Sequence, residues 1–184
     1  MAGAQTDTVP ESADQTEVAT DRNGLLLDLD AIDLTQRLLD REALQAWIPH
    51  RGAMQLLDSI VWINDAKTRG IGHRTVRDDE FWVEGHFPAK PVFPGVLMVE
   101  TAAQLALYLF NIRTGFPQLP AFLRIEDCSF RNPVKPGDEF FVICREVKIG
   151  RRRFISDVQG VVESNITFHA RITGMSLGKL PAEF

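Results

Sequence analysis

His86 and Glu100 are the two residues whose types and spacing best support chemistry. They stand 14 positions apart in the run Gly-His-Phe-Pro-Ala-Lys-Pro-Val-Phe-Pro-Gly-Val-Leu-Met-Val-Glu, residues 85–100. Histidine is the side chain that titrates near neutrality without help from its surroundings. Glu100 lies in an otherwise apolar run, where burial favours the neutral, protonated form of a carboxyl group. A base and an acid indicate proton transfer on an uncharged substrate, although each residue taken alone is as compatible with a structural role.

Gly95 supplies a candidate third part. Three prolines stiffen the loop after His86, and Pro94-Gly95 predicts the start of a helix. The first N–H groups of a helix lack intrahelical partners and carry partial positive charge, so the backbone at Gly95 could polarise a carbonyl that comes close. The alternative is a glycine that only eases a tight turn. Base, acid and dipole together fit removal of an α-proton with loss of a β-hydroxyl group.

Two further polar residues stand near this set. Gln104 follows Glu100 by four positions, which places both on one helix face, so its amide could orient the carboxyl or could lie at a subunit contact. His50 has no acid or base partner nearby in the sequence. We therefore favour a structural hydrogen-bonding role for His50, because buried polar groups usually find such partners.

A long helix and several strands must position these residues. Residues 96–110 are apolar on nearly every side, which predicts a helix that is buried all round. Residues 40–47 predict a short helix with Asp40 as its cap. Strands are predicted over residues 54–63, 68–76, 122–130, 139–149, 153–163 and 165–174. The sum is an α+β fold in which a long central helix is wrapped by an antiparallel sheet of about five or six strands.

Composition excludes several classes of protein. The chain has 184 residues, 45% of them hydrophobic and 24% charged, which is typical of one soluble domain. Its net charge of −5 argues against nucleic acid as a partner. The apolar run 96–110 is too short for a membrane span, and the polar, acidic first 24 residues lack signal-peptide features and are predicted to be disordered. Cys128 and Cys144 are predicted to be free, buried thiols, which fits a reducing cytoplasm.

Three ordered blocks resemble the FabZ-type 3-hydroxyacyl-acyl-carrier-protein dehydratases of fatty acid biosynthesis. The central block is GHFPAKPVFPGVLMVETAAQLA, residues 85–106. Upstream stand Ile-Pro-His-Arg (48–51) and Leu-Leu-Asp (56–58), and downstream stands Phe-Arg-Asn-Pro-Val-Lys-Pro-Gly-Asp (130–138). The resemblance covers about residues 40–175. Three positions depart from it: Ala89 replaces a usual glycine, residues 52–54 replace an aromatic-rich segment, and Ala121 replaces a tyrosine of the substrate tunnel.

The resemblance implies a hot-dog fold and a homodimer with two active sites at its interface, sometimes assembled as a trimer of dimers. His86 then matches the catalytic base, Glu100 the catalytic acid from the other protomer, and Gly95 the donor to the thioester carbonyl. No metal or other cofactor is implied. The partner is acyl carrier protein, which is strongly acidic, so the exposed basic run Arg151, Arg152 and Arg153 is a candidate contact. A solvated turn is the simpler interpretation of that run.

We predict a hot-dog dehydratase domain over residues 40–175, an N-terminal extension over 1–39 and a tail over 176–184. The predicted activity is that of a cytoplasmic hydro-lyase that converts 3-hydroxyacyl thioesters to trans-2-enoyl thioesters. Two alternatives stay open: a thioesterase on the same fold, and a non-catalytic acyl-binding subunit.

Overall fold

The computed structural model describes residues 24–181. Two α-helices, α1 (Arg41–Leu44) and α2 (Gly95–Thr114), and two 3-10 turns at Leu29–Ala31 and Gly52–Met54 accompany seven strands. The strands are β1 (Leu39–Asp40), β2 (Ser59–Ile63), β3 (Arg69–Thr75), β4 (Gln118–Phe130), β5 (Glu139–Ile149), β6 (Arg153–Val162) and β7 (Asn165–Lys179). The predicted cap of the short helix is confirmed, since the Asp40 side chain accepts from the Ala43 N–H.

The strands form one antiparallel sheet in the order β1-β2-β3-β5-β6-β7-β4, wrapped around α2. The predicted α+β layout is confirmed, but the sheet has seven strands rather than five or six. The additional strand is β1, two residues long, which pairs with Ser59 and Ile60. Such a short strand exists only through its partner, so no local pattern in the sequence could predict it.

Helix α2 is the centre of the fold. It begins directly after Pro94 and ends at Gly115, whose φ of 88° is left-handed and whose N–H closes on the Asn111 carbonyl. Only glycine adopts that conformation without cost, which explains where the helix stops. Among residues 24–181, α2 is the one helix long and apolar enough to cross a membrane, and 67% of its apolar window is buried. It is the core helix of a soluble domain.

Residues 24–38, within the extension predicted from the sequence, pack on the outer face of the sheet. Leu25, Leu26, Leu27 and Leu29 are buried in a second hydrophobic cluster that includes Val61, Ile71, Ile143 and Val161. The Gln159 side chain holds this segment, because it accepts from the Leu26 N–H at 2.8 Å and donates to the Gly24 carbonyl at 3.0 Å. The disorder predicted for the first 24 residues falls almost wholly outside the described residues.

Strand β4 is an edge of the sheet. It pairs only with β7, and its opposite edge leaves Phe122, Leu123, Ile125 and Phe130 between 43% and 52% exposed. The prediction of a buried thiol at Cys128 is wrong for the same reason, since it lies on this exposed strand. Cys144, on the interior strand β5, is buried as predicted, and burial raises the pKa of its thiol to about 12.

Candidate functional site

The loop before α2 holds His86 in one orientation. The His86 N–H donates to the Trp82 carbonyl at 2.7 Å, and the ring Nδ1 lies 2.7 Å from the Val92 carbonyl oxygen. A carbonyl only accepts, so Nδ1 carries the proton and donates it to that bond. The lone pair is therefore on Nε2. A half-buried imidazole whose Nε2 has no partner among residues 24–181 is equipped to act as a base.

A buried ionic network supports this loop. Arg74 is 3% exposed, donates to the Leu56 carbonyl at 2.6 Å, and forms an ion pair with Glu80. Glu80 in turn accepts from the Trp82 indole N–H at 2.9 Å, and the Arg74 guanidinium lies 5.1 Å from the centre of the Phe93 ring. Burial lowers the pKa of Arg74, while the charge of Glu80 acts in the opposite direction. No local pattern predicts this network, because Arg74 near the end of β3 and Glu80 in the following loop meet only in the folded chain.

Gly95 stands at the start of α2 in the same cavity as His86. This His86 cavity has a volume of about 460 Å³, and Val92, Phe93, Met98 and Phe130 contribute to its wall. A Cβ atom at position 95 would lie 2.7 Å from the Phe130 ring. The glycine therefore permits close packing as well as close approach of a ligand, and the position of its N–H at the helix start suits either role.

Glu100 lines a different cavity of about 180 Å³. Its side chain is 27% exposed, so the carboxyl is half-buried rather than fully buried as its apolar neighbours suggest. This Glu100 cavity has a mostly apolar wall: Ala103, Leu107, Pro120, Ala121, Phe122, Phe154, Ile172 and Gly174, with His50 as its other polar member. A half-buried carboxyl at the end of an apolar cavity suits an acyl substrate whose polar end must exchange a proton.

Gln104 joins Glu100 to the segment before β2. Its Nε2 donates to Glu100 Oε1 at 3.0 Å and to the Met54 carbonyl at 2.7 Å. Its Oε1 accepts from the Leu56 N–H at 2.9 Å and from the Leu57 N–H at 3.3 Å. Gln104 is fully buried, and every polar group of its amide is used within the chain. The amide therefore fixes the carboxyl of Glu100 from one side.

His50 is the residue that sequence reasoning undervalued. Its Nε2 lies 3.2 Å from Glu100 Oε1, although the two residues are 50 positions apart in the sequence. The contact depends on the packing of the segment after α1 against α2, for which Asn111 donates to the Trp47 carbonyl at 2.7 Å. The Ile-Pro-His-Arg motif indicates that His50 matters. No local pattern in the sequence, however, identifies Glu100 as its partner.

One chain does not bring His86 and Glu100 together. The described cavity that His86 lines contains Gly95, and the cavity that Glu100 lines does not. Five positions along an α-helix rotate the side chain by about 140°, so residues 95 and 100 point to different faces of α2. The two candidate groups of the reaction therefore face different cavities of the same protomer.

The basic residues fall into two places. Arg151, Arg152 and Arg153 are exposed at the turn between β5 and β6, where the Arg152 carbonyl accepts from the Ser176 N–H at 2.6 Å. The next residue, Phe154, belongs to the Glu100 cavity. Lys90 and Lys135 instead line a surface groove beside Val92, next to the His86 cavity. Each basic group thus lies near one of the two cavities.

Residues 24–181 contain no group of three or more His, Cys, Asp or Glu side chains placed to hold a metal ion. Besides the groups already described, Arg131 and Asn132 are the polar side chains that line the His86 cavity.

The comparison with known proteins agrees with the three sequence blocks. The family of FabA-like domains matches residues 48–171. The chain belongs to the FabA-like family. It is 38% identical over 129 residues to the 3-hydroxyacyl-acyl-carrier-protein dehydratase FabZ of Brucella abortus strain S19, covering 66% of this chain and 81% of that protein. FabZ of Geobacillus sp. strain WCH70 is 38% identical over 138 residues, which cover 71% of this chain and 94% of that protein.

Solved structures support the fold. The dehydratase heterocomplex ApeI:P from Xenorhabdus doucetiae aligns with a TM-score of 0.64 at 15% identity, covering 78% of this chain and 94% of that one. A hypothetical thioesterase with coenzyme A from Streptococcus pneumoniae aligns with a TM-score of 0.52 at 14% identity, covering 67% and 88%. At these identities the likeness concerns the fold alone. The predicted hot-dog fold of this FabA-like chain is confirmed.

Proposed function

We propose that two copies of this chain together dehydrate 3-hydroxyacyl thioesters carried on acyl carrier protein, with His86 of one copy and Glu100 of the other at each active site. The chain is a dehydratase of the hydro-lyase class and acts in fatty acid biosynthesis, as its FabZ relatives at 38% identity support. The observation that carries the composite site is that the two groups line different cavities at opposite ends of one exposed strand.

That strand is β4. Phe122, near its start, lines the Glu100 cavity, and Phe130, at its end, lines the His86 cavity. Eight positions along a strand span about 26 Å, which separates the two cavities within one copy. Antiparallel pairing of β4 with the same strand of a second copy, about a twofold axis near Glu126, places Phe122 beside the partner subunit's Phe130. The Glu100 cavity of each copy then meets the His86 cavity of the other copy.

The exposed apolar side chains of β4 favour this pairing. An unpaired edge strand presents free N–H and C=O groups, and apolar residues along such an edge promote association. Phe122, Leu123, Ile125 and Phe130 have this character in β4, interspersed with the charged residues Arg124, Glu126 and Asp127. Pairing two sheets in this way gives an isologous homodimer with two equivalent sites. Assembly into a trimer of dimers remains part of the proposal.

In each site the reaction needs three groups. Nε2 of His86 removes the proton from the α-carbon, and the electron pair moves toward the thioester carbonyl, whose oxygen accepts from the N–H at Gly95. Glu100 of the other copy, protonated, gives its proton to the β-hydroxyl group as the C–O bond breaks. Water and a trans-2-enoyl thioester leave, and His86 is left protonated with Glu100 ionised. Transfer of one proton through solvent restores the starting state.

The Glu100 cavity is the binding site for the acyl chain in this proposal. Its small side chains, Ala103 and Ala121, leave room for a chain that enters from the carboxyl of Glu100 toward Phe154. The carrier protein stays outside and contacts basic residues at the surface. The reaction uses no metal or redox cofactor, and we place it in the cytoplasm together with the other soluble enzymes of the pathway.

The carrier contact is testable because the two basic groups lie apart. We expect charge reversal at Arg152 to raise KM for a carrier-bound substrate if the predicted contact at the β5–β6 turn is correct. Charge reversal at Lys90 and Lys135 is the matched comparison near the His86 cavity. A small thioester that lacks the carrier should show no change in either variant. An effect only in the lysine variant moves the contact to the His86 side.

The activity is tested by following ultraviolet absorbance of the conjugated enoyl thioester with a 3-hydroxybutyryl or crotonyl thioester. We expect turnover by the natural chain and loss of at least about 100-fold in His86→Ala and in Glu100→Gln. His169→Ala, a histidine of the outer surface, is the control. Release of free thiol without change in enoyl absorbance identifies a thioesterase instead, and binding of acyl thioester without turnover identifies a non-catalytic subunit.

A further inference from the structure

We infer that His50 is a positioning residue for the acid step: together with Gln104 it directs the transferable proton of Glu100 onto Oε2. The inference rests on the proposed dehydration. It assigns a role in that reaction to a histidine that does not itself remove the α-proton and that acts through Glu100.

The carboxyl of Glu100 is asymmetric in its contacts. Oε1 accepts from Gln104 Nε2 at 3.0 Å, and His50 Nε2 lies 3.2 Å from the same oxygen. No described residue donates to Oε2. The Gln104 N–H donates to Oε1 and the His50 ring nitrogen lies within ion-pair range of the same oxygen, so both polar groups disfavour a proton on Oε1. A protonated Glu100 therefore carries its proton on Oε2, the oxygen left free for the substrate.

The ring of His50 has one tautomer that suits its surroundings. Its Nδ1 is buried and has no hydrogen-bond partner among residues 24–181. An unpaired N–H in such a place costs more than an unpaired lone pair, since buried N–H groups are the rarer orphans. Nδ1 is therefore the unprotonated nitrogen, and the proton lies on Nε2, which faces Glu100. The N–H of Nε2 is then the polar group of the ring nearest to Oε1, at 3.2 Å between nitrogen and oxygen.

The surroundings keep this donor in place. The His50 carbonyl accepts from Arg51 Nη1 at 2.9 Å, and the same nitrogen donates to the Ile48 carbonyl at 2.7 Å. The rest of the Glu100 cavity is apolar apart from backbone, so His50 and Glu100 are the two titratable side chains of its described wall. An N–H group in this setting stabilises the carboxylate that forms.

The step that His50 assists is proton delivery to the leaving group. The α-proton moves to Nε2 of His86, the C–O bond breaks with its electron pair on oxygen, and the proton on Glu100 Oε2 moves to that oxygen to form water. The negative charge left on Glu100 is shared with Oε1, to which the Gln104 N–H donates and beside which Nε2 of His50 lies at 3.2 Å. Removal of His50 weakens this step and leaves α-proton removal by His86 untouched.

Leaving-group chemistry separates these two effects. A 3-fluorobutyryl thioester loses the same α-proton to His86, but its C–F bond breaks to fluoride, which needs no proton from Glu100. We expect His50→Leu to lower kcat for 3-hydroxybutyryl thioester by about 10- to 100-fold, with little change in KM, and to lower elimination of fluoride far less. Glu100→Gln should lower the ratio of the rate of water loss to the rate of fluoride loss at least as much as His50→Leu does. His86→Ala should abolish both reactions.

The glutamine variant provides the matched rescue. His50→Gln places an amide N–H about where Nε2 of His50 lies. It should recover most of the natural ratio of water loss to fluoride loss, whereas the shorter amide of His50→Asn should not. This amide pair makes the same comparison if His50→Leu does not fold. Equal losses with both leaving groups, or equal ratios in the glutamine and asparagine variants, overturn the role of His50. Absence of turnover by the natural chain, in contrast, overturns the proposed function itself.

Discussion

Replacing Gln104 by leucine should lower the stability of the fold, because the amide of Gln104 joins α2 to the segment before β2. The change keeps the size of the side chain and removes four hydrogen bonds of a fully buried amide. Leu56 and Leu57 are themselves fully buried, so their N–H groups lose their acceptor in a place that water does not reach. The Met54 carbonyl also loses its donor.

The magnitude follows from the groups left unpaired. A buried donor or acceptor without a partner costs about 1 to 3 kcal/mol. The Leu56 N–H at 2.9 Å from Oε1 should bear most of this cost, and the longer bond from Leu57, at 3.3 Å, should add less. We expect a loss of about 3 kcal/mol in the free energy of unfolding. For a chain of this length that lowers Tm by about 6 to 12 °C.

Urea denaturation and calorimetry measure this loss, and Thr101→Val is the matched control. Thr101 lies on the same helix and is also fully buried, but its hydroxyl donates only to the Leu97 carbonyl of α2 itself, at 2.7 Å. Its replacement should cost about 1 kcal/mol or less. If Gln104→Leu is no more destabilising than this control, the four bonds do not anchor the segment before β2.

Two further predictions concern Gly95 and His73. Gly95→Ala should lower kcat/KM by at least about tenfold, and adding Phe130→Ala should not restore it, because the methyl group blocks the thioester carbonyl as well as meeting the ring 2.7 Å away. Burial lowers the pKa of His73 although its contact with Glu139 opposes the shift, so the unfolded chain binds this proton more readily. Stability from this source is complete above about pH 6.5 and falls as the pH drops below it.

Kinetics of the single and double variants check the first prediction, and recovery of activity in the double variant would mean that Gly95 serves only packing against Phe130. Denaturation midpoints measured at pH values above and below 6.5 check the prediction for His73. His73→Gln should lose less stability on acidification than the natural chain does. Parallel curves for the two chains contradict a buried neutral histidine at position 73.

Local patterns in the sequence predicted the elements whose causes are local. The helix from Gly95 follows from a mostly apolar run with Pro94 before it and Gly115 after it, and it continues one turn beyond the predicted residue 110, to Thr114. The paired strands β5 and β6 were predicted to within one residue. Strand β1 and the long start of β4 were not, because they depend on partners distant in the chain.

The candidate site divides in the same way. Gly95 and Gln104 could be placed by helix position alone, since the start of α2 and the i+4 spacing fix where they lie. The contact between His50 and Glu100 could not, because it joins residues that only the tertiary fold brings together. The exposure of Cys128 was mispredicted because an alternating apolar strand looks the same at the edge of a sheet as in its interior.

Complementation between two inactive variants tests the composite site most directly. His86→Ala and Glu100→Gln are each inactive as homodimers in this account. Mixed in equal amounts, dissociated and reassociated at random, half of the dimers are heterodimers, and each of these has one intact site with natural His86 and natural Glu100. A site shared between two protomers should therefore recover about a quarter of the natural activity. A mixture that stays as inactive as its components contradicts a site shared between two protomers.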